Sequence, residues 1–287
     1  MSKPSLLTPK KLNTLKLLLD DESPIVRRAL IAEFKRDKEA AICFLLKLSK
    51  QESIHSLSAF GFLEELGYVD TVVEFVDFIH SFNYELETGL LMLDRTVYPE
   101  INPSDTCKIL NDIANRVKEL LVPPMSAKSQ CLVLNRVLFH ELGFRGNLED
   151  YYNPENAFLH KVLENKTGLP LLLSALYILV ADRCNLQLEP IALPGHFLVA
   201  CFDEELPFFI DVFEGGNFKT VEEIAAAFNF EIDEKLIFHL APSPVGEILC
   251  RNCRNLIHQY RKCSDKDLAD LFKRFVKEFE EAYKKQA

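Results

Sequence analysis

The chain lacks any uninterrupted apolar run of the ~18 residues that a membrane-spanning helix needs. Its opening residues, Met1-Ser2-Lys3-Pro4, carry no apolar segment followed by small residues, so no secretory leader is expected. A basic excess is also missing. With 33 Lys and Arg against 43 Asp and Glu, the formal net charge is −10. Nucleic-acid and anionic-membrane surfaces need clustered cations, so neither partner is expected. Eight cysteines in 287 residues are too few for a disulfide framework. Cys43, Cys131 and Cys184 sit in apolar helical patterns as small hydrophobes, and a reducing, cytoplasmic location follows.

What is present is ordinary for a globular protein: 48% apolar and 26% charged residues, in a chain longer than one core usually spans. Residues 6 to 122 read as short amphipathic helices. Ser23-Pro24 is a start signal, with Ser as N-cap and Pro at the first helical position. Leu30 and Phe34, then Ala41, Leu45 and Leu48, then Phe62, Leu63 and Leu66 recur at helical spacing, the last set ending at Gly67. Further helices are expected over 72–82, 86–93 and 107–121, in the manner of stacked HEAT or TPR hairpins, although no repeat consensus is legible. His55 and His80 stand singly. Val122-Pro123-Pro124-Met125 stops a helix and marks the expected boundary of this unit, 1–122.

From Ser126 an apolar helix carries Leu132, Leu134, Asn135, Val137 and Leu138 as far as Gly143. Asn153-Pro154 opens another, closed by Gly168. Pro170 opens a third, apolar on nearly every side from Leu171 to Val180 and therefore buried. Extended segments follow at 196–202 and 207–213, with a tight turn over Asp203-Glu204-Glu205-Leu206. A turn centred between Glu204 and Glu205 sets Leu198 opposite Asp211. His196 and Asp211 are then diagonal neighbours on one face, ~7 Å apart by Cα. One residue of slip would separate them.

Leu134-Asn-Arg-Val-Leu-Phe139, Gly143-Phe-Arg-Gly-Asn147, Asp150-Tyr-Tyr152, Gly168-Leu-Pro170, Leu193-Pro-Gly-His-Phe-Leu198 and Phe209-Ile-Asp211 with Gly215-Gly216 occur in that order. Together they resemble a family of bacterial transglutaminase-like proteins with a TPR tail, also described as regulators of SirC expression. The resemblance implies a papain-like α+β core, helices preceding a small antiparallel sheet. It assigns His196 and Asp211 to the histidine and aspartate of the transglutaminase triad, and puts Pro170 where the nucleophilic cysteine would stand. Proline has no nucleophile. Ser174 lies one turn further along the same helix. Cys184 is ~21 Å away at helical rise, and Cys201, an odd number of residues from His196, faces the other way on a regular strand.

Phe144-Arg145-Gly146-Asn147 and Asp150-Tyr151-Tyr152 are more polar than a core requires. They line a pocket beside His196 or, structurally, Arg145 pairs with Asp150 or caps a helix end. Cys250, Cys253, His258 and Cys263 have zinc-knuckle spacing, but the glycines of a knuckle are absent. On a helix, His258 and Cys263 would also leave the face of the two cysteines, so no metal is expected. The last helix is expected from Ser264, with a stripe of Leu268, Leu271, Phe272, Phe275, Val276 and Phe279.

The expected class is α+β, predominantly helical: an amino-terminal helical unit, a transglutaminase-like core over 125–240 and a short TPR-like helical segment over 243–287. The expected function is a non-catalytic, cytosolic protein-binding or regulatory module without cofactor. The alternatives are a hydrolase or acyltransferase using His196, Asp211 and Ser174, with Arg145, Asn147, Asp150 and Tyr151 around them, and a purely structural scaffold.

Overall fold

The computed structural model describes residues 7–21, 23–49, 55–203, 206–228, 231 and 233–286. It divides into two compact units, Met1–Asp70 and Thr71–Ala287. The first holds α1 (Pro9–Lys16), α2 (Pro24–Arg36), α3 (Lys38–Ser49) and α4 (Ser56–Glu65). Leu30, Phe34, Ala41, Leu45, Leu48, Phe62, Leu63 and Leu66 are buried together, so the helical stripes face one another. Ser23 occupies the N-cap of α2 in extended backbone, but its hydroxyl makes no capping bond. Gly67, at φ +63°, lets the Tyr68 N–H reach the Leu63 carbonyl and close α4.

The second unit begins with α5 (Thr71–Ser81), α6 (Leu86–Val97), α7 (Pro103–Leu120) and α8 (Ala127–Asn135). The last runs straight into a π-helical turn, Arg136–Glu141. Then come β1 (Arg145–Gly146), a 3-10 turn (Pro154–Ala157), α9 (Leu159–Asn165), β2 (Thr167–Gly168) and α10 (Pro170–Arg183). A four-stranded antiparallel sheet, order β3-β4-β5-β6, is built from β3 (Glu189–Leu193), β4 (His196–Cys201), β5 (Phe208–Asp211) and β6 (Asn217–Lys219). The chain ends with α11 (Val221–Phe228), α12 (Glu234–His239), α13 (Val245–Lys262) and α14 (Lys266–Gln286). This is a predominantly helical α+β fold.

The helix α10 is its axis. Every residue from Leu171 to Ala181 is buried, as its lack of a polar face requires. Around it one core runs from Phe75 on α5 to Ala282 on α14. Phe75 meets Phe275 and Phe279 edge-on at 4.9 and 6.3 Å, so the apolar stripe of α14 is core. The helices of 71–120 thus share a core with the sheet and the C-terminal hairpin. The units part between Asp70 and Thr71, whereas the sequence places a boundary at Val122–Met125.

Three local expectations need correction. The segment after Asn153 is two pieces, because Phe158 is extended (φ −116°, ψ 128°) between the 3-10 turn and α9. Lys166, in the left-handed region, closes α9 two residues before Gly168. Finally, Ser264 has φ +62° and lies outside α14, where the Asp265 carboxylate accepts from the Leu268 N–H instead.

Candidate functional site

The pairing Val199↔Ile210 between β4 and β5 sets Leu198 opposite Asp211, the register inferred from the sequence. Glu204 and Glu205, where that turn was placed, lie outside the described residues. On the shared face His196 Nε2 is 2.7 Å from Asp211 Oδ2. Asp211 is buried and His196 partly exposed. The other carboxylate oxygen, Oδ1, accepts from the Glu214 N–H, and the Asp211 carbonyl accepts from the Gly216 N–H. The carboxylate, held by the Glu214 N–H, orients the imidazole through Nε2, and among the described residues Nδ1 makes no hydrogen bond.

Behind this pair lies a support the sequence did not disclose. Asn135, buried at the end of α8, donates through Nδ2 to the Gly216 carbonyl at 2.8 Å. The hydroxyl of Tyr177, on α10, donates to Asn135 Oδ1 at 2.8 Å. Burial holds the Tyr177 phenol well above its ordinary pKa, so it stays a donor. A Cβ on Gly216 would meet Asn135 Oδ1 at 2.3 Å, and its φ of +81° also favours glycine. The Gly215-Gly216 pair therefore lets the strand end approach the helix. The only visible sign was an asparagine among the apolar residues of α8.

Arg251 was also missed. From α13 its Nη2 reaches the carbonyls of Leu193 and His196, each at 2.7 Å, and clamps the β3–β4 turn in which Gly195 takes φ +73°. Burial pushes its guanidinium below the usual arginine range. No periodicity marks an arginine on a stripe-bearing helix as inward-facing.

Two recesses flank the His196 ring. One, about 40 Å3, is lined by Tyr151, Leu169, Pro170, Leu171, Gly195, His196, Phe197, Arg251 and Asn255. The other, about 320 Å3, has a mixed lining: Asp211, Glu214, Lys219 and Glu223 beside His196, and Leu198, Ile224, Ala227 and Phe228. Pro170 and His196 therefore line the same small recess. No serine, threonine or cysteine lines either one among the described residues. Ser174 is fully buried, and its hydroxyl has no partner among the described residues. Cys184 and Cys201 are buried elsewhere in the core.

Of the polar residues expected beside the site, Tyr151 reaches it. Asn147 and Asp150 build their own loop: Asn147 Oδ1 accepts from the Asp150 N–H, and Asn147 Nδ2 donates to Asn156 Oδ1. Arg145 is exposed on β1, and among the described residues it makes no ion pair with Asp150. Cys250 and Cys253 face the core of α13, whereas His258 and Cys263 are exposed. Among the described residues no three His, Cys, Asp or Glu side chains gather as a metal site. No helix of the described residues is long and apolar enough to cross a membrane.

A histidine and an aspartate on adjacent antiparallel strands, beside the N-terminus of a buried helix, is a transglutaminase-like arrangement. The chain belongs to the transglutaminase-like superfamily, whose model matches residues 104–254. It is 31% identical over 194 residues to a UPF0162 protein of Xylella fastidiosa (strain 9a5c), covering 64% of this chain and 68% of that one. It is 36% identical over 134 residues to F-box only protein 21 of Mus musculus, covering 41% of this chain and 21% of that protein. No solved structure matches.

Proposed function

We propose that the chain is a non-catalytic transglutaminase-like protein, a cytosolic protein-binding or regulatory module that takes its partner at the surface around His196. One observation carries this reading: the recess that His196 lines has Pro170 at the helix N-terminus, and no serine, threonine or cysteine lines it among the described residues. An imidazole–carboxylate pair without a nucleophile cannot form an acyl-enzyme. The likeness to a protein named F-box only protein 21 is compatible with an interaction role. The finer placement, among regulators of SirC expression with α13 and α14 as TPR-like helices, belongs to the same proposal. The test is an acylating probe such as a fluorophosphonate, followed by intact mass. The proposal expects no stoichiometric adduct. A single modified residue, lost in His196→Ala, would instead establish the hydrolase or acyltransferase reading.

A further inference from the structure

A second histidine–carboxylate pair lines a different recess. Asp94, fully buried on α6, accepts from the Leu159 and His160 N–H groups at 3.1 and 2.8 Å and from His160 Nδ1 at 2.7 Å. A neutral imidazole that donates through Nδ1 keeps its lone pair on Nε2. Among the described residues Nε2 makes no hydrogen bond, and His160 lines a recess of about 310 Å3 between the first turns of α7 and α9. That recess shares no lining residue with the two at His196.

Other polar groups in its wall lack partners too. Thr106 is 4% exposed, yet its hydroxyl makes no hydrogen bond among the described residues. Buried hydroxyls are ordinarily bonded, so a group from outside is its expected partner. The exposed carboxylates of Glu100 and Asp105 stand at the same recess, with neither an ion pair nor a hydrogen bond among the described residues. The helix ends here are already satisfied. Asn102 Oδ1 accepts from the Ser104 N–H at 3.2 Å at the start of α7, and Asp94 takes the first N–H groups of α9. Little positive potential is left for an anion. What remains is a set of acceptors: an imidazole nitrogen, a hydroxyl oxygen and two carboxylates.

Such a set calls for a cation with several N–H donors. A guanidinium carries about five in a planar fork, an ammonium about three on one atom, and acceptors spread over several side chains favour the fork. Ile101, Ile109 and Leu163 supply apolar wall, and Ile109 is half exposed. An arginine stem would cover that wall while its head meets the acceptors.

We infer that this recess is a receptor for an arginine side chain of a polypeptide partner. Glu100 and Asp105 balance the guanidinium charge, and His160 Nε2 and the Thr106 hydroxyl accept its N–H groups. Asp94 acts through His160, as a positioning residue. The site goes beyond the surface around His196 and does not depend on whether that surface is catalytic.

The experiment titrates the full chain with N-acetyl-arginine N-methylamide, its citrulline and lysine counterparts, and agmatine, observed by 1H–15N and methyl NMR. The arginine probe is expected to shift the resonances of Ile101, Thr106, Ile109, His160 and Leu163. It should bind roughly tenfold more tightly than the citrulline probe, which keeps the shape and loses the charge. Equal binding of those two, or shifts confined to other surfaces, would overturn the site. Equal binding of the lysine probe would overturn the guanidinium, and tighter binding of agmatine would overturn a polypeptide as its source. Glu100→Gln combined with Asp105→Asn removes two exposed carboxylates and leaves the core untouched; a loss of roughly tenfold for the arginine probe is expected, and unchanged affinity would refute the charge pairing. Because the whole chain is acidic, Thr106→Val separates a built site from general attraction, since it leaves the charge as it is. A loss of about threefold is expected there, and unchanged affinity in a variant with a native-like spectrum would refute the recess. Amide turnover by the wild-type protein would be a separate result, directed at the non-catalytic reading of His196 alone.

Discussion

Replacing Pro170 with cysteine puts the geometry around His196 to a chemical test. Pro170 is the first residue of α10 and shares a recess with the His196 ring. A thiol there would stand at a helix N-terminus with an imidazole beside it, the two influences that stabilise a thiolate. A free cysteine ionises near pH 8.5, so roughly 0.3% is thiolate at pH 6; thiols in such sites ionise between about 3.5 and 7.5. Even at the upper limit the thiolate fraction at pH 6 rises about tenfold. Intrinsic nucleophilicity falls about threefold per pKa unit, so the net gain toward a disulfide probe is about threefold, and about tenfold for a thiol ionising two units lower. The fold should tolerate the change, since proline at a compatible position contributes only about 0.4–1 kcal/mol. The assay is the reaction of 4,4′-dithiodipyridine with Pro170→Cys between pH 4 and 8, with the wild-type rate subtracted. A new fast thiol that stays reactive below pH 7, and slows when His196→Ala is added, is the expected result. A thiol that slows tenfold per pH unit below 8, indifferent to His196, would refute the placement of Pro170 in one recess with the imidazole.

Other predictions follow from the packing. Gly216→Ala must displace Asn135 and strain a left-handed backbone; a loss of about 2–4 kcal/mol in urea unfolding is expected, and less than 1 kcal/mol would contradict the Asn135–Gly216 contact. Asp94 is fully buried and accepts from the Leu159 and His160 N–H groups and from His160 Nδ1. Asp94→Ala leaves these donors unpaired and should destabilise the fold by about 2–4 kcal/mol, read as a lowered unfolding midpoint. Of the eight cysteines, Cys43 and Cys263 are exposed. Burial pushes the Cys250 thiol up to about 11 and raises that of Cys253. Two thiols should therefore react with an aromatic disulfide within minutes at pH 8, and eight after denaturation; rapid modification of Cys250 or Cys253 would contradict their burial.

Periodicity disclosed faces but not the partners of those faces. An eleven-residue run with no polar side had to be buried, and α10 is. The phenylalanine stripe of α14 had to meet something, and Phe75, far back in the chain on α5, is what it meets. Nothing in the stripes of α5 to α7 distinguishes them from those of α2 to α4, so the division at Asp70 could not be read from them. The His196–Asp211 pair was legible because the family resemblance singles out both residues and strand side chains repeat every two residues, and the register assumed between the two strands is the one observed. Arg251 and Asn135 were not, since each acts on a carbonyl more than fifty residues away, and long-range polar pairs leave no local pattern. Ser264 and Asp265 show the limit of capping signals: both can cap, and only the backbone torsion at Ser264 decides between them.

The central claim, that an oriented His196–Asp211 pair stands without a nucleophile and serves binding, is tested most directly by amide turnover. Purified protein is incubated with carbobenzoxy-glutaminyl-glycine, with and without a primary amine, and released ammonia is measured for wild type and His196→Ala. The account predicts no release above the buffer blank from either protein. Steady release by the wild type that disappears in His196→Ala would contradict it.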